Sequence, residues 1–139
     1  MKGGKVIASG GFGCVFKPSL KCKNGKRYDG ITKLMFRKYA EKEQLEINNV
    51  KKKINKIKNY SDYFIVDGIE SCDVQDLKKE DLYNFDSCNS FKKYDINQDN
   101  INRNLDKISG LQIPYGGIDI QKYIEKYNEK KDLIKINTL

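Results

Sequence analysis

The sequence contains no histidine and no tryptophan, and only two prolines and three arginines among its 139 residues. Without histidine it lacks the usual neutral-pH general base and the nitrogen ligand of mixed zinc sites. Cys14, Cys22, Cys72 and Cys88 show no C-x-x-C spacing, which removes the ordinary zinc-ribbon reading and leaves the metal set empty. No apolar run approaches the ~20 residues of a membrane-spanning helix. The lysine-rich start also lacks the apolar core of a signal peptide. Scarce arginine leaves few of the forked donors that read bases. The net charge of +8 and pI near 9.2 therefore point to solubility and to attraction for nucleotides or acidic proteins, and argue less for nucleic acid. The length predicts one domain with a modest core.

What is present begins with glycine. Gly10, Gly11 and Gly13 lie between Val6-Ile7 and Val15-Phe16, two short strand-forming runs. Glycines let a backbone turn tightly and bring its amides close to a phosphate. A dinucleotide fingerprint would open a helix at this point, and a Walker loop would end in Gly-Lys-Ser or Gly-Lys-Thr. The run instead enters Cys14-Val15-Phe16 and stops at Pro18, so it reads as a hairpin, with or without a ligand. A turn signal at Asn24-Gly25 follows, and then Ile31-Thr32-Lys33-Leu34-Met35, a strand carrying a lysine in an apolar run.

From Arg37 to Lys58 there is neither Gly nor Pro. Ile47, Val50, Ile54 and Ile57 recur at helical spacing, predicting one apolar face. Glu43 projects from that face and Glu46 from its edge; a carboxylate so placed needs a partner. The run Lys51-Lys52-Lys53, with Lys56 and Lys58, reads as a solvated outer surface. Tyr63 to Val66 predicts a fourth strand ended by Asp67-Gly68. Residues 69 to 107 show no sustained period and read as an irregular insertion, with 97 to 107 polar enough to be partly mobile. An apolar strand, Leu111 to Ile113, then runs into Pro114-Tyr115-Gly116-Gly117. Asp119 caps a helix whose apolar side is Ile120, Tyr123, Ile124 and Tyr127.

Three blocks, Ala-Ser-Gly-Gly-Phe-Gly-Cys-Val-Phe-Lys-Pro (8–18), Ile-Thr-Lys-Leu-Met (31–35) and Ile-Pro-Tyr-Gly-Gly-Ile-Asp (113–119), together resemble the protein kinase superfamily. They look most like the serine/threonine-type kinases of large DNA viruses. Abundant Lys, Asn and Ile at the expense of Arg is compatible with an AT-rich genome of that kind. The G-x-G-x-x-G-x-V pattern is met except that Ala8 replaces its first glycine.

The resemblance implies an α+β fold: a kinase-like small lobe over 1–117, with about five antiparallel strands and one long helix. A hinge-following helix and tail would occupy 118–139. It implies that Ala8, Ser9, Gly10, Gly11, Phe12 and Gly13 cover ATP phosphates and that Val15 packs on the adenine. Lys33 and Glu43 would form the phosphate-orienting pair, with Glu46 as the alternative. The backbone of Ile113 and Tyr115 would meet the adenine edge, Asp119 would hold the ribose, and Gln112 would sit near the gatekeeper position.

The family's His-Arg-Asp and Asp-Phe-Gly elements are missing, so the chain is expected to be inactive alone, with magnesium doubtful as a cofactor beside ATP. It would be a truncated product or one half of a split enzyme, partnered by a separately encoded large lobe. The rivals are a pseudokinase-like interaction module without nucleotide, and a basic nucleic-acid-associated protein. The resemblance further implies a cytoplasmic or virion location with reduced cysteines, and a Cys14 that a covalent ligand could reach.

Overall fold

The computed structural model describes residues 4–128. The fold is α+β. Its sheet is antiparallel throughout, with strands in the order β1 (Lys5–Ser9), β2 (Gly13–Lys17), β3 (Ile31–Phe36), β5 (Ile108–Ile113) and β4 (Glu70–Cys72). The helix α1 (Arg37–Ile54) leaves β3 directly, and α3 (Ile120–Asn128) follows β5. Between β4 and β5 lie only short elements: 3-10 turns at Phe85–Ser87 and Ile101–Lys107 and the single-turn α2 (Asn89–Lys92).

Strand alternation divides the sheet into two faces. Cys14, Phe16, Leu34 and Ile108 point to one of them and are fully buried. What buries them is the 74–107 segment, which contributes Val74, Leu77, Phe85, Phe91, Ile96, Ile101 and Leu105 to the same cluster. Phe85 stacks on Phe91, and Phe36 meets Phe91 and Tyr94 edge-on. The segment is irregular as expected, but it is half of the main core rather than a peripheral insertion. Its polarity misleads because its asparagines serve the backbone. Asn102 accepts from Leu77 N–H at 2.8 Å and donates to Leu77 C=O at 2.9 Å. Asn100 accepts from Asn97 N–H, and Asn104 donates to Asn100 C=O, both at 2.9 Å. The expectation of mobility over 97–107 is thereby corrected: Ile101 and Leu105 anchor it in the core.

The other face carries α1. Met35, Ala40 and Leu111 are buried there. The helix ends at Ile54, short of the expected Lys58, and Ile57 beyond its end is half exposed. The helix is less deeply seated than its periodicity predicts, since Val50 is about half exposed and Ala40 is its only buried residue. Polar links hold it instead, with Gln44 donating to Ile69 C=O and Lys51 pairing with Asp67 at 2.5 Å. Lys51, Lys52 and Lys53 in its last turn complement the helix dipole.

Two further expectations fail. Residues Tyr63 to Val66 form no strand; the sheet edge is taken by Glu70–Cys72, which leaves Tyr63, Phe64 and Ile65 exposed. The cysteines are not free either. Cys14 bonds Cys88 and Cys22 bonds Cys72, with Cα atoms 5.7 and 5.9 Å apart. Pairs separated by 74 and 50 residues meet only because the 74–107 segment and β4 fold back on the hairpin. Cys14 is consequently buried and bonded, out of reach of a covalent ligand. The tail 129–139 and the side chain of Tyr127 lie outside the described residues.

Candidate functional site

One row of residues crosses the α1 side of the sheet. Ala8 pairs with Val15, Val15 with Lys33, Lys33 with Leu111, and Leu111 with Ser71. Lys33 thus stands between the apolar side chains of Val15 and Leu111. Its ammonium donates to both carboxylate oxygens of Glu43, at 2.9 and 2.6 Å, and each side chain is a little over a quarter exposed. The abrupt passage from β3 into α1 at Phe36–Arg37 brings the second turn of the helix alongside the strand. Glu46 lies one turn further along and does not reach Lys33. It stands 3.9 Å from Lys42 and is well exposed.

The glycine turn closes on itself, Gly10 N–H donating to Gly13 C=O at 2.9 Å. Its glycines are not equivalent. A Cβ on Gly13 would lie 2.6 Å from Leu34 C=O and 3.0 Å from Met35 Cβ, whereas Gly11 has open space around it. Phe12 at the tip reaches over to α1 and meets Tyr39 edge-on, ring centroids 5.2 Å apart. Phe12, Met35, Tyr39 and Glu43 then border a shallow groove beside the ion pair. Ser9 faces the 74–107 segment, its Oγ accepting from Asn89 N–H at 3.1 Å. Sequence reasoning gave no sign of this second support for the turn, because no periodicity marks residue 89.

At the other end of the sheet Ile113 pairs with Ile31 and remains half-buried. Tyr115 is exposed and takes the Lys17 ammonium on its ring, 3.2 Å from the centroid. Asp119 caps α3: its Oδ1 accepts from Lys122 N–H at 2.9 Å, and this bond, before the nearby Lys122 ammonium, holds the carboxyl below its ordinary range. Gln112 does not face this row. It points to the opposite side, fully buried, with Oε1 accepting from Thr32 Oγ1 at 2.8 Å and Nε2 donating to Cys72 Sγ at 3.2 Å. Gln112 is therefore placed on the face opposite Lys33, while Leu111 and Ile113 share the Lys33 side. The period-two alternation of β5 dictates this.

The arrangement offers a half-buried ammonium oriented by a carboxylate, an apolar flank on either side, and a glycine turn at one end. A lysine ammonium has three donors. Glu43 engages it from α1 only, which leaves capacity for an anion on the open side. No family model matches the chain, and no curated protein or solved structure matches it.

Proposed function

We propose that this chain is an ATP-binding small lobe of the serine/threonine protein kinase type. The observation that carries the reading is the two-bonded Lys33–Glu43 pair, made between a strand and a helix downstream of a glycine turn. In that reading the ammonium contacts phosphate oxygens while Glu43 holds it in place. Val15 and Ile113, both partly exposed, offer an apolar strip to the base, with Leu111 buried beneath them; the backbone from Ile113 to Tyr115 offers its polar edge, and Asp119 the ribose. Gly10, Gly11 and Gly13 lie over the phosphates. In this reading the chain's own residues bind and orient the nucleotide. The 139 residues hold neither His-Arg-Asp nor Asp-Phe-Gly, so in this reading phosphoryl transfer would draw its base and metal carboxylates from residues outside this segment.

Calorimetric titration with ATP, with and without magnesium, tests this. Lys33→Ala and Glu43→Gln should each weaken binding about tenfold or more, equivalent to at least about 1.4 kcal/mol, while Glu46→Gln should not. Undiminished binding by Lys33→Ala would overturn the assignment.

A second reading is a pseudokinase-like module that docks on another protein. It is favoured by the exposed Tyr63, Phe64 and Ile65, which border the 115–120 segment because Ile65 Cδ1 packs against Gly116. Tyr115, Ile118 and Ile120 are exposed on that segment. Contiguous exposed apolar side chains mark interaction surfaces. Under this reading Phe64→Asp abolishes association measured by sedimentation and Lys33→Ala does not.

A further inference from the structure

Beyond the Lys33 row, at the end of β2 remote from the glycine turn, lies a pocket of about 490 Å³ that includes Lys17, Arg27, Tyr28, Asp29 and Tyr115 in its lining. Its size falls in the range of small-molecule sites. Its electrostatics are unbalanced. The Arg27 side chain forms no ion pair among the described residues, and its Nη1 is shut away from solvent with no acceptor in reach. The Tyr28 hydroxyl in the lining donates outward to Glu70 at 2.6 Å. The Lys17 ammonium rests on the Tyr115 ring, a contact that orients the charge without neutralising it. Two cations thus face one carboxylate, Asp29.

A guanidinium with no carboxylate partner keeps its accessible N–H donors for charge-assisted bonds to an oxyanion that enters the pocket. We propose that this pocket binds a single oxyanion, a carboxylate or phosphate group of a small ligand. Arg27 supplies directional N–H donors and Lys17 a mobile point charge. Tyr115 releases the ammonium toward the anion and forms the apolar wall. Asp29 sets the limit: a polyphosphate would bring further negative charge against it, so the pocket selects ligands with one anionic group. The pocket shares Tyr115 with the segment that the nucleotide reading gives to the base, but Lys17 and Arg27 have no part in that reading and the proposal does not rest on it.

The three arginines make the experiment direct. The side-chain Nε–Hε resonances of 15N-labelled protein are followed during titration with inorganic phosphate and, separately, with acetate, at constant ionic strength. Arg27→Gln assigns its signal. The expected result is a saturable shift of the Arg27 resonance with a midpoint near the millimolar range, those of Arg37 and Arg103 staying in place. Lys17→Met should weaken the midpoint about tenfold. Saturation by phosphate alone identifies a phosphate ligand, and by acetate alone a carboxylate. Parallel, unsaturable shifts of all the arginine signals would overturn the proposal and mean ionic screening only. Lys33→Ala should leave the phosphate response intact and Arg27→Gln should leave ATP binding intact, so the two readings fail separately. An unchanged thermal midpoint for Arg27→Gln verifies that it is folded.

Discussion

Thr32 and Gln112 are joined inside the sheet, Thr32 Oγ1 donating to Gln112 Oε1 at 2.8 Å on the face opposite Lys33. The same hydroxyl accepts from Leu20 N–H at 2.7 Å, so one buried oxygen ties the β2–β3 connection to β3 and β5. Because neighbours in a strand point to opposite faces, fixing Thr32 inward also fixes Lys33 on the α1 side.

Thr32→Val keeps the shape of the side chain but strands the Leu20 N–H and the Gln112 Oε1. Each orphaned group costs about 1–3 kcal/mol. The variant should be clearly destabilised in urea melts. Adding Gln112→Leu should recover part of the loss, and a double-mutant cycle measures the coupling.

The glycine turn should respond unequally to alanine. Gly13→Ala drives a Cβ to 2.6 Å from the Leu34 carbonyl oxygen and forces β2 away from β3. Such overpacking costs about 1–3 kcal/mol. Gly11→Ala meets nothing within 4 Å and should leave the melting temperature within about a degree of the parent. Equal effects at the two positions would contradict the close approach described at Gly13.

The 74–107 segment should prove indispensable to folding. Phe91 is fully buried between Phe85 and Phe36, and Ile101 is buried beneath the same sheet face. Phe91→Ala should cost about 3–5 kcal/mol and Ile101→Ala about 2–5 kcal/mol in denaturant melts. A peripheral insertion would tolerate both.

Asp67 makes one attachment of α1 acid-sensitive. The Lys51 ammonium, and after it the Tyr60 hydroxyl, hold its carboxyl below the ordinary aspartate range. A depressed folded-state pKa contributes stability that is fully present above the unfolded value, about 3.9, and is lost as pH falls through the folded one. The C-terminal turns of α1 should therefore lose amide-exchange protection on acidification through that window. Asp67→Asn should lower protection at neutral pH and flatten its acid dependence.

Much of the site was legible because its signals are local. Glycines between strand-forming residues, a lysine in an apolar run and a glutamate on a helix face each follow from short-range preference and burial cost. The fold class and the helices after β3 and β5 were legible for the same reason. The Tyr63–Val66 run was misread because β-propensity describes a residue suited to a half-buried pleat and does not say whether a partner strand is there. Gln112 was misplaced because a strand position reads equally well on either face until its neighbours are known.

By itself, then, the sequence determined much of the order of elements, the glycine turn and the residues available to pair between β3 and α1. Tertiary structure alone decided that Glu43 rather than Glu46 meets Lys33, that Cys14 and Cys22 find Cys88 and Cys72, and that residues 74–107 cover a whole face of the sheet. The physical reason is the range of the interactions. Hairpins, caps and helical faces depend on residues a few positions apart. A core assembled from turns and 3-10 segments leaves no period to read, and its polar residues declare their role only when the backbone groups they satisfy are in place.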